Sequence, residues 1–262
     1  MIHTPRLGFD PERPDAVFDL DGTVFKFTVL EQYVGRLCDQ GIFAPLPAEI
    51  EDARLTWKSQ ENNETNYKDH SNKLVEFFVA QVAGQSAETL QEVAEGVAAD
   101  TAYRQWDITR NIINTLRPTH NVLAISLMPE WLIPPFTKDL GFVATLGSTY
   151  VTRDGIFTGE AYSIDKAQVY SDYRDGDTSQ LDVAMGDTVG DLSMLRLADR
   201  PIAFNPSFTL AGAVGDTVTM VSAQKDLVTV KNRYHPDRPM HAEDFHCSQA
   251  SKVLALVRSR NS

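Results

Sequence analysis

The segment Ala16-Val17-Phe18-Asp19-Leu20-Asp21-Gly22-Thr23 constrains this chain more than any other stretch of it. Its apolar half reads as a short buried strand, and that strand delivers two carboxylates, two residues apart, into a glycine turn. Residues i and i+2 share a strand face, so Asp19 and Asp21 are expected to project toward one site where the strand ends. Two like charges held that closely are costly unless a cation sits between them or one carboxyl keeps its proton. A lone Asp before a turn is commonly a turn residue, and Asp-x-Asp alone is a frequent chance match. Here the pair has company further along: Ser126 after an apolar run, Lys166, and Gly186-Asp187-Thr188-Val189-Gly190-Asp191.

Composition limits what such a site can serve. The 262 residues suffice for one large domain or a core with a smaller insert, and 42% hydrophobic with 23% charged residues is ordinary for a globular protein. A formal net charge of −12 argues against a nucleic-acid binder working through a broad basic face. It also means that an anionic substrate must be held by a local field opposing the global one. Cys38 and Cys247 lie far apart, so no disulfide framework is expected and a reducing compartment fits. Residues 1–6 lack the basic-then-apolar pattern of a signal peptide, and no apolar run approaches membrane-spanning length. The expectation is a cytoplasmic protein with neither nucleic-acid nor membrane partners.

The hydrophobic period divides the chain. From 29 to 116 it is helical, with apolar residues recurring at helical spacing over 29–37, 74–82, 90–98 and 108–116, and with Gly41, Pro45, Pro47 and Gly84 as punctuation. Outside that block strands alternate with helices. Residues 121–125 read as a strand, followed by a helix over 129–140 that stops at Gly141. Residues 142–151 are β-rich, with Asp154-Gly155 as a hairpin turn back through 156–158. Helices over 166–173 and 191–197 and strands over 181–185 and 201–204 complete the pattern, and 218–230 suits two strands or a hairpin. The implied architecture is α/β: a Rossmann-like three-layer sandwich with a mostly parallel sheet, split as 1–28 and 117–262, carrying an inserted α-helical cap at 29–116. In parallel sheets ligands bind beyond the carboxyl ends of the strands, where Asp19, Ser126 and Asp187 all fall. His235, His241, His246 and Cys247 match no common structural zinc spacing and read as a polar surface loop before a short terminal helix.

Together the segments resemble the haloacid dehalogenase superfamily of aspartate-nucleophile hydrolases. Asp19-Leu20-Asp21-Gly22-Thr23-Val24 is similar to its first motif, Ser126 to the second, Lys166 to the third and Gly186-Asp187-x-x-Gly190-Asp191 to the fourth. Residues 154–159 and 201–206 resemble its phosphoserine-phosphatase-like branch, in which a helical cap lies between the first two motifs. Lys166, rather than Lys138, is matched to the third motif because it follows the hairpin and opens a helix. The resemblance implies a Mg²⁺-dependent phosphatase for a small phosphate monoester. Asp19 would be the nucleophile that forms an aspartyl-phosphate, and Asp21 the acid and base for the leaving alcohol and the attacking water. Ser126, Leu127 and Lys166 would bind the phosphate, with backbone amides at a helix amino terminus completing the cradle. Asp19, Asp187, Asp191 and the Asp21 carbonyl would hold Mg²⁺, and a dication with Lys166 would invert the local sign of an acidic protein.

Specificity is quieter. Arg54, Lys58, Asn62, Asn63, Tyr67 and Lys73 are the polar candidates in the helical block. Leu127 and Met128 stand where phosphoserine phosphatases carry small glycines, which points away from phosphoserine itself. The superfamily's dehalogenases lack the second Asp, so Asp21 argues against that chemistry. A phosphotransferase passing the aspartyl-phosphate to another acceptor would use the same residues. A catalytically silent binding module on this fold would have no need of the intact set.

Overall fold

The computed structural model describes residues 8–59, 64–215, 217–224, 227–231 and 245–247. β1 (Asp15–Phe18) is buried along its whole length, as an apolar strand flanked on both sides must be. Then come α1 (Val29–Asp39), α2 (Ala48–Ser59), α3 (Glu64–Val82), α4 (Ala87–Thr101) and α5 (Asp107–Leu116). The chain re-enters the sheet as β2 (Asn121–Pro129), makes the short α6 (Ile133–Thr137), and turns through the hairpin β3 (Ala144–Arg153) and β4 (Ile156–Tyr162). α7 (Lys166–Tyr173), β5 (Leu181–Gly186), α8 (Leu192–Leu195), β6 (Arg200–Phe204), α9 (Phe208–Ala213) and the strands β7 (Thr219–Gln224), β8 (Leu227–Lys231) and β9 (Phe245–Cys247) follow.

The strands form one sheet in the order β4-β3-β2-β1-β5-β6-β7-β8-β9. From β3 through β7 every pairing is parallel, and β4, β8 and β9 extend the edges antiparallel. Alternate residues of β1 feed two cores. Ala16 and Phe18 join Ile112, Ile113 and Phe136 on one face, while Val17 joins Tyr170, Met194, Leu195 and Leu210 on the other. The result is the three-layer Rossmann-like sandwich with a mostly parallel sheet that the strand–helix alternation implies. Among the described residues no helix is long and apolar enough to cross a membrane.

Several elements differ from the sequence reading. The expected helix over 129–140 is replaced. β2 runs on to Pro129, which pairs with Ser148 past an irregularity, and only a 3-10 turn at Glu130–Leu132 and the short α6 follow. Consecutive prolines, Pro134 and Pro135, suit the first turn of a helix and resist an earlier start. The helix expected over 191–197 is likewise shorter, a 3-10 turn at Val189–Asp191 leading into α8. α2 has no counterpart in the period, because it buries only Ile50 and Ala53. Residues 245–247 are a strand, not part of a surface loop, whereas His235, His241 and the expected terminal helix lie outside the described residues. The hairpin is as expected, with Asp154 and Gly155 both at positive φ (51° and 76°).

Two connections tie the helical block to the sheet. At its base the outgoing and returning chains pair as a short ribbon: Lys26 N–H donates to the Arg104 carbonyl (2.8 Å) and Trp106 N–H to that of Val24 (2.9 Å). Thr109 Oγ1, in α5, then donates to the Thr23 carbonyl at 2.8 Å. At its far side the turn between α3 and α4 lies along β4. There Gly84 N–H donates to Phe157 O (2.8 Å), Phe157 N–H to Gln85 O (3.0 Å) and Ala87 N–H to Gly155 O (2.8 Å). Aromatic contacts fill the space between, with Trp131 packed on both Tyr33 and Phe157 and Phe78 on Tyr150.

A charged network secures the opposite end of the sheet. Burial works against the charge on Asp182, yet hydrogen bonds from His120 and Arg200 hold its carboxyl well below the ordinary range. Asp182→Asn is expected to cost roughly 3 kcal/mol at neutral pH, as breaking a buried pair does. A group depressed in the folded state stabilises above its unfolded pKa and loses that effect as pH falls toward the folded one. The difference in thermal midpoint between wild type and variant should therefore be full at pH 7 and shrink below about pH 4, readable by circular dichroism.

Candidate active site

β1 ends at Phe18, so Asp19 and Asp21 are set by the turn rather than by strand alternation. Asp19 is buried and accepts a hydrogen bond from Lys166 Nζ at 2.6 Å. Asp21 turns toward α1 and accepts the N–H of Val29, one of the free donors of its first turn, at 2.9 Å, and Thr28 makes no side-chain capping bond. Burial, with the Asp19 charge adding to it, pushes the Asp21 carboxyl up to about 7 against the Val29 hydrogen bond. Burial likewise raises Asp19 to about 6, with Lys166 opposing. Gly22 is required between Leu20 and Thr23. Its φ is 78°, and a Cβ there would lie 2.0 Å from Asp187 Oδ2.

The fourth motif closes the site from β5. Asp191 is fully buried: Oδ1 accepts from Lys166 Nζ at 2.5 Å, and Oδ2 accepts the N–H groups of Asp187 (3.0 Å) and Thr188 (2.9 Å). With Thr188 it forms a reciprocal cap on the 3-10 turn, so helix capping and ion pairing are here the work of one carboxylate. Gly186 admits this fold-back, because a Cβ there would lie 2.4 Å from the Asp191 side chain. Lys166 opens α7 behind its Asp165 cap, and the two carboxylates hold its ammonium charged against the pull of burial. Asp187 is raised well above the carboxylate range by burial, then by Asp19 and Asp191. Thr23 Oγ1 reaches it at 3.4 Å, a contact across 164 residues.

Asp19, Asp187 and Asp191 each present an oxygen within 4.8 Å of the others. One buried ammonium cannot offset three such carboxylates with Asp21 beside them. The set of hard oxygen donors therefore fits a divalent cation such as Mg²⁺. The Asp21 side chain stands outside that cluster. Ser126 is buried and its Oγ accepts the Met128 N–H at 3.2 Å. The helix amino terminus expected to complete a phosphate cradle there is absent, since β2 continues past Ser126 and α6 begins only at Ile133. Leu127 is half exposed, and with Lys166 and Gly190 it lines a cavity of about 410 Å³.

A second cavity, of about 510 Å³, is lined by Asp21 and Asp187 together with Trp57 and Tyr67 from the helical block. Of the polar candidates read from that block, Lys58 and Tyr67 line it. Arg54 is engaged with Glu51 and Glu31, Lys73 with Asp69, and Asn62 and Asn63 lie outside the described residues. Tyr67 is the closest of these to the chemistry. Burial first, then the negative field of Asp21, Asp187 and Asp19, keeps its phenol protonated and so a donor. Sequence reasoning missed Lys26, Arg104 and Phe208, which also line this cavity. Phe208 is 80% exposed and no motif marks it, although Asn205 and Pro206, which line the cavity beside it, end the 201–206 segment singled out in the sequence.

The family profile for haloacid dehalogenase-like hydrolases matches residues 16–196, and the chain belongs to that family. Solved structures agree in fold. A phospho-aspartyl intermediate analogue of phosphoserine phosphatase is 15% identical and superposes over 81% of this chain and 94% of its own, with a TM-score of 0.51. A Bordetella pertussis Tohama I protein of unknown function reaches a TM-score of 0.58 at 19% identity, over 77% and 94% of the two chains. A cytosolic 5'-nucleotidase IIIB bound to cytidine gives 0.50 at 15% identity, over 84% of each. No curated protein sequence matches the chain. In fold the chain is similar to phosphoserine phosphatases among others of the family.

Gly22→Ala tests the close approach at the centre of the site. The positive φ and the contact with Asp187 together should cost at least about 1–2 kcal/mol, read as a lowered midpoint in urea unfolding.

Proposed function

We propose that this chain is a Mg²⁺-dependent phosphatase acting on a small phosphate monoester through an aspartyl-phosphate on Asp19. The observation that carries the reading is the buried chain Asp19–Lys166–Asp191, with a 2.6 Å and a 2.5 Å contact, standing beside Asp187 and the protonatable Asp21. An Asp19 oxygen attacks phosphorus in line and the bond to the leaving oxygen breaks. Asp21 gives that oxygen its proton, so the product leaves as a neutral alcohol. Water then attacks the phosphorus of the acyl phosphate, Asp21 takes its proton, and Asp19 is regenerated with release of inorganic phosphate. Lys166 meets the Asp19 charge and the phosphoryl oxygens, and Ser126 with the backbone of Leu127 contacts the same oxygens.

Asp19, Asp187, Asp191 and the backbone carbonyl of Asp21 are the residues that would hold Mg²⁺. Bound there, the dication neutralises the phosphate against the carboxylate cluster. Of the 29–116 insert, the part beyond the ribbon, 29–104, acts as the cap, while α5 packs on the sheet as part of the core. The cap brings Trp57 and Tyr67 over the leaving group and excludes bulk water.

Hydrolysis of p-nitrophenyl phosphate with and without Mg²⁺ tests the reading, with Asp19→Asn beside the wild type. The expected outcome is metal-dependent turnover that falls roughly 10³-fold or more in the variant, a barrier increase of ~4 kcal/mol. Turnover that survives both EDTA and Asp19→Asn would refute it. A second measurement needs no substrate. Mg²⁺ should raise the thermal midpoint of the wild type, since a ligand bound only to the folded state stabilises it. Asp187→Asn should lose that rise and, with one like charge removed from the cluster, melt higher than the wild type when both are metal-free.

A further inference from the structure

The ribbon at the base of the helical block brings two cations to the rim of the larger cavity. Lys26 and Arg104 both line it, and the backbone bond from Lys26 N–H to Arg104 O (2.8 Å) makes them neighbours. Each is steered by an aromatic ring, Lys26 Nζ lying 4.9 Å from the Trp106 ring centre and the Arg104 guanidinium 4.3 Å from that of Phe27. Arg104 also donates to Gln32 Oε1 at 3.2 Å. The third cation of this cavity, Lys58, is matched by Glu31 at 3.2 Å, and Arg54 approaches the same carboxylate at 3.6 Å. Among the described residues Lys26 and Arg104 have no such carboxylate partner, in a chain of net charge −12. The one cation of the catalytic cluster, Lys166, is already committed to Asp19 and Asp191.

We infer that Lys26 and Arg104 bind a second phosphate group, so that the substrate is a bisphosphate whose other phosphoryl group is the one removed. The inference rests on the phosphatase reading above and names its substrate class. Two unmatched positive charges balance a phosphate dianion, whereas a carboxylate tail would leave one over. A guanidinium offers paired donors to phosphate oxygens and the ammonium adds a point charge beside it. With about 510 Å³ the cavity holds a sugar-sized body between the two phosphates, and Trp57 and Phe27 wall it.

The test compares kcat/KM for a hexose bisphosphate, the corresponding hexose monophosphate, phosphoglycerate and p-nitrophenyl phosphate, all with Mg²⁺ present. The wild type should favour the bisphosphate over the monophosphate by roughly tenfold or more, as two charge-assisted contacts imply. The double variant Lys26→Met with Arg104→Met should bring that ratio close to one, mainly through KM. Raising the ionic strength should lower the ratio in the wild type. Because Arg104 also packs on Phe27, the single variant Lys26→Met, at an exposed position, carries the test if the double variant does not fold. A flat ratio in the wild type, a ratio that both variants keep, or a preference for phosphoglycerate overturns the inference. If p-nitrophenyl phosphate is meanwhile turned over in an Asp19-dependent way, only the second-phosphate assignment falls. If none of the esters is hydrolysed, the phosphatase reading falls with it.

Discussion

Lys166 Nζ lies 2.6 Å from Asp19 and 2.5 Å from Asp191, and the lysine is only 3% exposed. An ammonium so deeply buried is stable only while carboxylates surround it, and those carboxylates need it in turn. The three residues come from the end of β1, the first position of α7 and the turn after β5. Their meeting therefore fixes how these elements sit against one another. A cation is disfavoured at a helix amino terminus, where the helix dipole is positive. Asp165 caps that end, accepting the Gln168 N–H at 2.9 Å, and the two site carboxylates outweigh the residual penalty. The same chain of charges commits Lys166 to Asp19 and Asp191 while Asp187 and Asp21 face the larger cavity, an excess of carboxylate that a dication would offset.

The helical block is not an independent unit laid over the site. Leu74, Phe78 and Leu90 belong to the same hydrophobic cluster as Phe18 and Phe136, so block and sheet share one core. Backbone hydrogen bonds along β4 and the ribbon formed by residues 24–26 and 104–106 hold it at two points. It contributes Glu31 and Gln32 of α1, Trp57, Lys58 and Tyr67 of α2 and α3, and Arg104 to the cavity, and α2 and α3 face each other across Trp57, Tyr67 and His70. α2 buries only Ile50 and Ala53, fewer residues than α4 or α5.

Elements carried by their own residues are legible in the amino-acid sequence. The helix at 166–173, the hairpin at Asp154-Gly155 and the buried strand before Gly186 each follow from a local signal: a capping Asp, a pair suited to positive φ, an apolar run. α2 leaves no mark on the hydrophobic period because it buries little. The continuation of β2 through Ser126 to Pro129 is hidden because a proline after a strand also suits a helix start. Asp191 shows the two levels at work in one residue. Its capping role is local, but its contact with Lys166 spans 25 residues of chain.

The sequence by itself determined the alternation that makes a parallel sheet, the helical character of 29–116, and the motifs whose carboxylates and lysine meet beyond β1 and β5. These depend on residue type and on spacings of a few positions, which the chain carries wherever it folds. Only the tertiary structure decided that Asp21 turns to α1, that Thr23 reaches Asp187, and that Lys26 and Arg104 meet at the rim of a cavity with Trp57 and Tyr67. Most of those contacts join residues tens to more than a hundred positions apart. They exist because strand order and the packing of the block against the sheet bring them together, and no local preference encodes that.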